Sequence, residues 1–184
     1  MVALIVIIVL IIILAVAAIS LYNGIVEKRN RIDNAWATIA AQLQRRLDLI
    51  PNLVNSVKGY MAHEQGVLTA VTEARAAATA ATTPAASMEA NRELTGALRQ
   101  LFAVAESYPQ LQAASTFLDL QKELAETENR IAYARQSYND CVLTYNNAIQ
   151  TFPGNLIAGV GNFTPAQGFT VEDDRANVAP TVEF

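Results

Sequence analysis

Residues 2–19 consist only of Val, Leu, Ile and Ala, and no charged side chain stands before Glu27. All thirty charges of the 184-residue chain lie from Glu27 onward. About 20 apolar residues in a helix cross the hydrocarbon core of a bilayer, so this run has the length of a single span. Eleven of its eighteen residues are β-branched, which in water favours a strand. In lipid an open strand would leave its N–H and C=O groups unpaired, and the helix is the form that satisfies them. Fourteen large aliphatic side chains at about −0.3 to −0.6 kcal/mol each favour insertion by roughly 6 kcal/mol. The sequence therefore predicts a transmembrane anchor over residues 1–26.

Ala15-Val16-Ala17 has the small-x-small form of a signal-peptidase site, but the run has no Lys or Arg before it and exceeds the 7–15 residues of a signal core. An uncleaved anchor is the reading that fits. No Cys stands directly after the run, so attachment through a lipidated cysteine is not expected, and no second apolar stretch of similar length suggests another span. Lys28, Arg29 and Arg31 follow the anchor directly, with Arg45 and Arg46 beyond. The positive-inside rule counts these and not Glu27 or Asp33, which places the C-terminal domain in the cytoplasm rather than outside it. Lys28, Arg29 and Arg31 are the candidate contacts for lipid headgroups, each worth about 1 kcal/mol on an anionic leaflet.

From residue 27 to residue 152 the pattern is helical. Ile32, Trp36, Ile39, Leu43, Leu47, Ile50, Val54, Val57, Met61, Leu68 and Val71 recur at steps of three, four and seven, the signature of one helical face. Pro51 interrupts that face without changing its phase, which predicts a kink rather than a reversal. The alternative is Asp48 capping a new helix with Pro51 in its first turn. Ten of the residues 70–90 are Ala, broken by Thr82-Thr83-Pro84. Two helix ends meet there, with Thr83 as N-cap and Pro84 in the first helical position. The next helix carries Met88, Leu94, Leu98, Leu101 and Val104 and stops near Tyr108-Pro109.

Phe117, Leu124, Ile131, Tyr138, Tyr145 and Phe152 then repeat every seven residues, with Leu120, Thr127, Ala134, Cys141 and Ala148 three positions on. A heptad sustained over this length predicts a seam packed against other helices, with Leu124, Ile131, Tyr138 and Tyr145 buried along it. Pro153-Gly154 ends that helix. Residues 153–184 hold Gly159, Gly161, Pro165, Gly168 and Pro180 and read as irregular. Phe163, Phe169, Val171, Val182 and Phe184 make this tail apolar enough to pack on the bundle or on a neighbouring subunit. The fold class is thus all-α: one N-terminal transmembrane helix, long helices packed against one another through the seam, and an irregular C-terminal tail.

Catalytic chemistry is hard to place. His63 is the one histidine, so H-E-x-x-H zinc sites and paired Glu-x-x-His di-iron motifs are excluded, and His63, followed by Glu64 on a helix, reads as a surface or helix-capping histidine. Cys141 falls on the seam as a small hydrophobe. No Gly-rich loop precedes a helix to cradle phosphate, and a net charge of −4 is the wrong sign for nucleic acid. No metal, cofactor or small-molecule substrate is expected. Arg45 and Arg46 lie about 28 Å beyond Val26 along a straight helix, some three Debye lengths from the headgroups. Pairing with Asp48, Glu106 or Glu128, or contact with a partner protein, suits them better.

Several phrases carry a family resemblance: Tyr22-Asn23, Arg29-Asn30, Asp33-Asn34-Ala35-Trp36, Gln42, and Arg45 through Val54 around Pro51. Lys58-Gly59-Tyr60, His63-Glu64, Glu73-Ala74-Arg75 and Glu106-Ser107-Tyr108-Pro109 follow. The later helix adds Glu128-Asn129-Arg130-Ile131, Arg135, Tyr138-Asn139, Tyr145-Asn146 and Phe152-Pro153. The chain resembles the LemA family of bacterial membrane-anchored helical proteins over nearly its whole length. The resemblance implies a membrane-proximal N-terminus, an antiparallel bundle of long helices resembling a four-helix bundle, residence at the bacterial inner membrane and no established activity or cofactor. It also implies a membrane protein partner, a metallopeptidase or a TPM-domain protein, whose genes often neighbour those of the family. Some members begin with a lipoprotein Cys, which this chain lacks. Three functions compete. A single-pass scaffold or adaptor that self-associates or binds a membrane partner fits the anchor and seam best. Membrane remodelling through anionic lipid is the alternative, and an unrecognised enzyme built on His63, Glu64 and the tyrosines comes last.

Overall fold

A computed structural model describes residues 1–169 of the chain. Six helices and no strand occur among them: α1 Val2–Lys58, α2 Gln65–Ala80, α3 Pro84–Ala105, α4 Pro109–Gln112, α5 Ser115–Gln150 and α6 Gly154–Val160. The helical fold class drawn from the sequence holds. Val171, Pro180, Val182 and Phe184 of the expected tail lie outside the described residues. The chain divides into two compact units, one of residues 33–136 and one of residues 1–32 with residue 137 onward.

In the first of these units, five helical segments supply one core, four of them long and the fifth the short α4. Leu47, Ile50, Leu53 and Val57 of α1 join Val71 of α2, Leu94, Leu98 and Leu101 of α3, Leu111 of α4, and Phe117 and Leu124 of α5. Burying each of these side chains stabilises the unit by about 1.5–3 kcal/mol before the entropy of ordering it is counted. The α1 stripe is buried or half-buried throughout as its spacing predicts, and Leu53, which the spacing missed, is fully buried beside it.

Helix α1 continues through Pro51, so the chain does not reverse at the proline. It breaks instead after Lys58, and the single long helix expected to run to Val71 is two helices. Gly59 is a poor helix former. At the break the N–H groups of Tyr60 and Met61 both turn back to the Val57 carbonyl, at 3.0 and 2.9 Å. Met61 stays buried at the corner. His63, read from sequence as helical, is therefore an exposed residue of this turn. Helix α2 returns along α1, and the junction with α3 forms as the sequence specifies. The Thr83 hydroxyl accepts from the Ala86 N–H at 3.2 Å and Pro84 opens the helix.

The second unit has Ile25 and Ile32 of α1, Tyr138, Val142, Tyr145 and Ile149 of α5, and Ala158 of α6 buried. The heptad on α5 is real, and Leu124, Ile131, Tyr138 and Tyr145 are all buried. The companion position moves, however, from three residues on (Thr127, Ala134) to four (Val142, Ile149). A straight α-helix drifts about 20° per heptad, which carries the fourth residue into the place of the third. Phe152 leaves the seam and is exposed. Pro153 does end α5, but the chain re-enters a helix at once as α6, where an irregular tail was expected. Gly154 permits this tight corner, because a Cβ there would run into the Ala148 carbonyl oxygen. The Phe152-Pro153 peptide is cis.

Candidate functional site

The first stretch of α1 contains an 18-residue window of mean hydropathy 3.7, none of it buried. It is long and apolar enough to cross a membrane. One helical turn beyond Gly24, Lys28 sends its Nζ back to the Gly24 carbonyl at 3.5 Å, and Arg31 pairs with Glu27 at 2.6 Å. Arg29 is exposed. Lys28 and Arg31 line one side of a cleft of about 150 Å³, whose other side is Ser137, Asp140, Cys141 and Thr144 of α5. Two cations and two hydroxyls beside one carboxylate make a polar pocket, not a nucleophilic site. The half-buried Cys141 thiol forms part of its wall.

A more elaborate constellation lies further along α5. The Asn139 amide gives its Nδ2–H to the Phe169 carbonyl and takes the Phe169 N–H on its Oδ1, both at 2.8 Å. Asn146 repeats the exchange with Ala166, at 2.9 Å in each direction. Each side-chain amide thus replaces the main chain of a neighbouring strand. The preceding tyrosines add a second row, Tyr138 Oη donating to the Gln167 carbonyl at 3.3 Å and Tyr145 Oη to the Thr164 carbonyl at 3.0 Å. Seven helical residues rise about 10.5 Å, and three residues of extended chain advance about 10 Å. The Tyr-Asn pair repeated at seven on α5 is therefore in register with every third residue of the returning segment, which runs antiparallel to it. Residues 163–169 contain no helix or turn. Pro165 falls where no N–H is required, and Gly168 where a Cβ would stand 3.0 Å from Asn139 Oδ1.

The unit of residues 33–136 holds its own polar contacts. Arg46 is 3% exposed, and its Nη1 donates to Glu128 at 2.6 Å and to Asn91 Oδ1 at 2.9 Å. Burial pulls its guanidinium below the usual pKa, Glu128 opposes this, and Arg99 adds to it. Arginine stays protonated under such pressure, so a fixed charge is held inside the bundle. Arg45 faces Glu123 at 3.6 Å on the exposed side. Asp48 accepts from Gln44 at 2.8 Å, and Glu106 caps the end of α3 through its backbone. Partial burial and the hydrogen bond it donates to Glu64 at 3.1 Å hold the Tyr108 hydroxyl above its ordinary pKa.

Arg75 answers a question that Pro51 raises. Proline has no N–H, so the carbonyl four residues back, at Leu47, loses its helical donor. The Nε of Arg75, from α2, supplies it at 3.0 Å. Sequence reasoning assigned no such role to Arg75, Asn91, Glu123, Asn139 or Asn146. For the asparagines a signal existed in the Tyr-Asn phrase recurring at seven. Among the described residues no three His, Cys, Asp or Glu side chains converge in a way that could hold a metal ion.

Residues 35–184 match the LemA family. Protein LemA of Metamycoplasma hominis is 28% identical over 140 residues, covering 74% of this chain and 63% of that protein. Magnetosome protein MamQ 2 of Paramagnetospirillum magneticum is 40% identical over 73 residues, and Magnetosome protein MamQ of Magnetospirillum gryphiswaldense is 36% identical over 73. Each of these two alignments covers 40% of this chain and 27% of the MamQ protein, so the chain spans about a quarter of those relatives.

Proposed function

The chain belongs to the LemA family, and from that premise we propose that it is a single-pass, membrane-anchored scaffold or adaptor whose bundle assembles with copies of itself or with a membrane protein. The supporting observation is α1 itself. One uninterrupted helix carries a wholly exposed apolar stretch at its start and the buried Ile39, Leu47, Ile50 and Leu53 of a helical core further on. The same helix thus supplies both the apolar stretch and part of a helical core, which suits a protein that works by holding position. Lys28, Arg29 and Arg31 favour a cytoplasmic bundle at the bacterial inner membrane. The reading assigns the chain no catalytic step, cofactor, nucleic acid or small-molecule substrate. A membrane metallopeptidase or TPM-domain protein is the partner that family analogy favours. The cleft between Lys28, Arg31 and α5 supports anionic-lipid binding as the second reading.

Crosslinking in native membranes, followed by mass spectrometry and by sizing in mild detergent, tests the proposal. A defined oligomer or one reproducibly linked membrane protein is the expected result. A monomer with no linked partner would overturn it. Salt-sensitive binding of the full-length protein to anionic over neutral lipid, in that same monomer, would favour the second reading.

A further inference from the structure

Between Asp140 and Glu172 lie 31 consecutive residues without a charge, in a chain that is 16% Asp, Glu, Lys and Arg. This second uncharged stretch contains α6 and the corner that leads into it. Helix α6 has two unlike faces. Gly154 and Ala158, four apart, are buried. On the opposite side Leu156 is 61% and Val160 89% exposed, and Phe152, in the turn that leads into α6, is 79% exposed. Single exposed aliphatic residues are ordinary on protein surfaces. Leu156 and Val160, four apart on α6, form a face with Phe152 exposed in the turn before it, and no charge stands near them in sequence.

The position of that face is set by aromatic packing. The Tyr22 ring lies 5.4 Å from the Phe163 ring, and the Phe163 N–H donates to the Ala158 carbonyl at 3.0 Å. Helix α6 is therefore bound to α1 at the height of Tyr22. Tyr22 stands three residues, or about 4.5 Å of helix, beyond the end of the apolar run at Ile19. That is the depth at which aromatic belts mark the edge of the hydrocarbon. Lys28 and Arg31 come between one and three turns later, at headgroup height and beyond. An apolar helical face at this depth is what an interfacial segment presents to the acyl boundary.

We propose that α6 with Phe152 is an interfacial membrane contact, resting in the leaflet from which α1 emerges, so that the protein meets lipid at two separate places. The occupant of the exposed face is the bilayer, because Phe163 ties α6 to Tyr22 at the end of the span and the face shares the span's lack of charge. This rests on reading α1 as a membrane span.

The test uses full-length protein in proteoliposomes, with the sole tryptophan removed by Trp36→Phe and one reintroduced by Val9→Trp, Leu156→Trp or Val160→Trp. Emission is compared in plain phosphatidylcholine and in phosphatidylcholine brominated high on the acyl chain, after circular dichroism has verified helicity. Blue-shifted emission quenched by the brominated lipid is expected for all three. Quenching in Val9→Trp, with water-like and unquenched emission in both Leu156→Trp and Val160→Trp, would overturn the interfacial contact and leave the span standing. No quenching even in Val9→Trp would remove the span and the inference with it. A blue shift at Val160→Trp that resists brominated lipid and vanishes on dilution into excess lipid would assign the face to a second copy instead.

Discussion

The two halves of α5 share one heptad and meet different partners. Before residue 137 the seam is Phe117, Leu124 and Ile131, with Phe117 and Leu124 packed into a core drawn from α1, α2 and α3. After it the seam is Tyr138 and Tyr145, equally buried, and their hydroxyls meet the main chain of residues 164–169. Periodicity records that a face is covered. It does not record whether a helix or an extended segment covers it, and the polar atoms at the rim of the second seam carry that information.

The comparison fails at its strongest point if the first half tolerates loss of volume. Leu124→Ala should cost about 2–5 kcal/mol, since the cavity cannot be filled by water without further cost. Chemical denaturation of the detergent-solubilised protein measures this, and a change below about 0.5 kcal/mol would mean that Leu124 is not core. The second half should respond to lost donors instead. Asn146→Ala removes two hydrogen bonds and should weaken the docking of residues 163–169 by about 1–3 kcal/mol. Hydrogen exchange would then speed at the Ala166 amide while the core amides of α3 stay protected. Equal deprotection of both would show that the two regions unfold as one.

The smallest effect tests a place where the first region also relies on a side chain, here from another helix, to satisfy its backbone. Arg75→Met should leave the Leu47 carbonyl without its donor, whereas Pro51→Ala restores a helical N–H to it. A double-mutant cycle should therefore give a coupling of about 1 kcal/mol, with Arg75→Met less harmful in the Pro51→Ala background. Additive costs would detach Arg75 from the proline.

Much of the helical fold is legible in the sequence because burial on one face imposes its period directly. The α1 stripe, the Thr83-Pro84 start of α3 and the buried seam of α5 all follow from local rules. The reversal after Lys58 was not legible. A glycine competes there with an unbroken apolar stripe, and Met61 keeps the phase of that stripe even though it lies in a turn. Helix α6 was hidden by its own composition, since two glycines in seven residues argue against a helix that tertiary contacts nonetheless hold. The contact of Arg75 depends on a main-chain atom that no residue pattern names, and the recurring Tyr-Asn phrase marks Asn139 and Asn146 without naming the main-chain atoms they meet.

Three of the residues in the returning segment, Thr164, Ala166 and Gln167, enter the ladder on α5 only through backbone atoms. The segment is measured rather than recognised. Its side chains at those positions are free to drift, except where Gly168 must stay small against Asn139, but its residue count is not. Loss of one residue between Ala166 and Phe169 would slide the chain beyond it by about 3.3 Å, so that with Asn146 still on Ala166 the amide of Asn139 would face the wrong peptide group. Removal or insertion of a whole triplet would only move it by one rung. Evolution of this stretch is thereby constrained as a ruler is, in its spacing and hardly in its lettering.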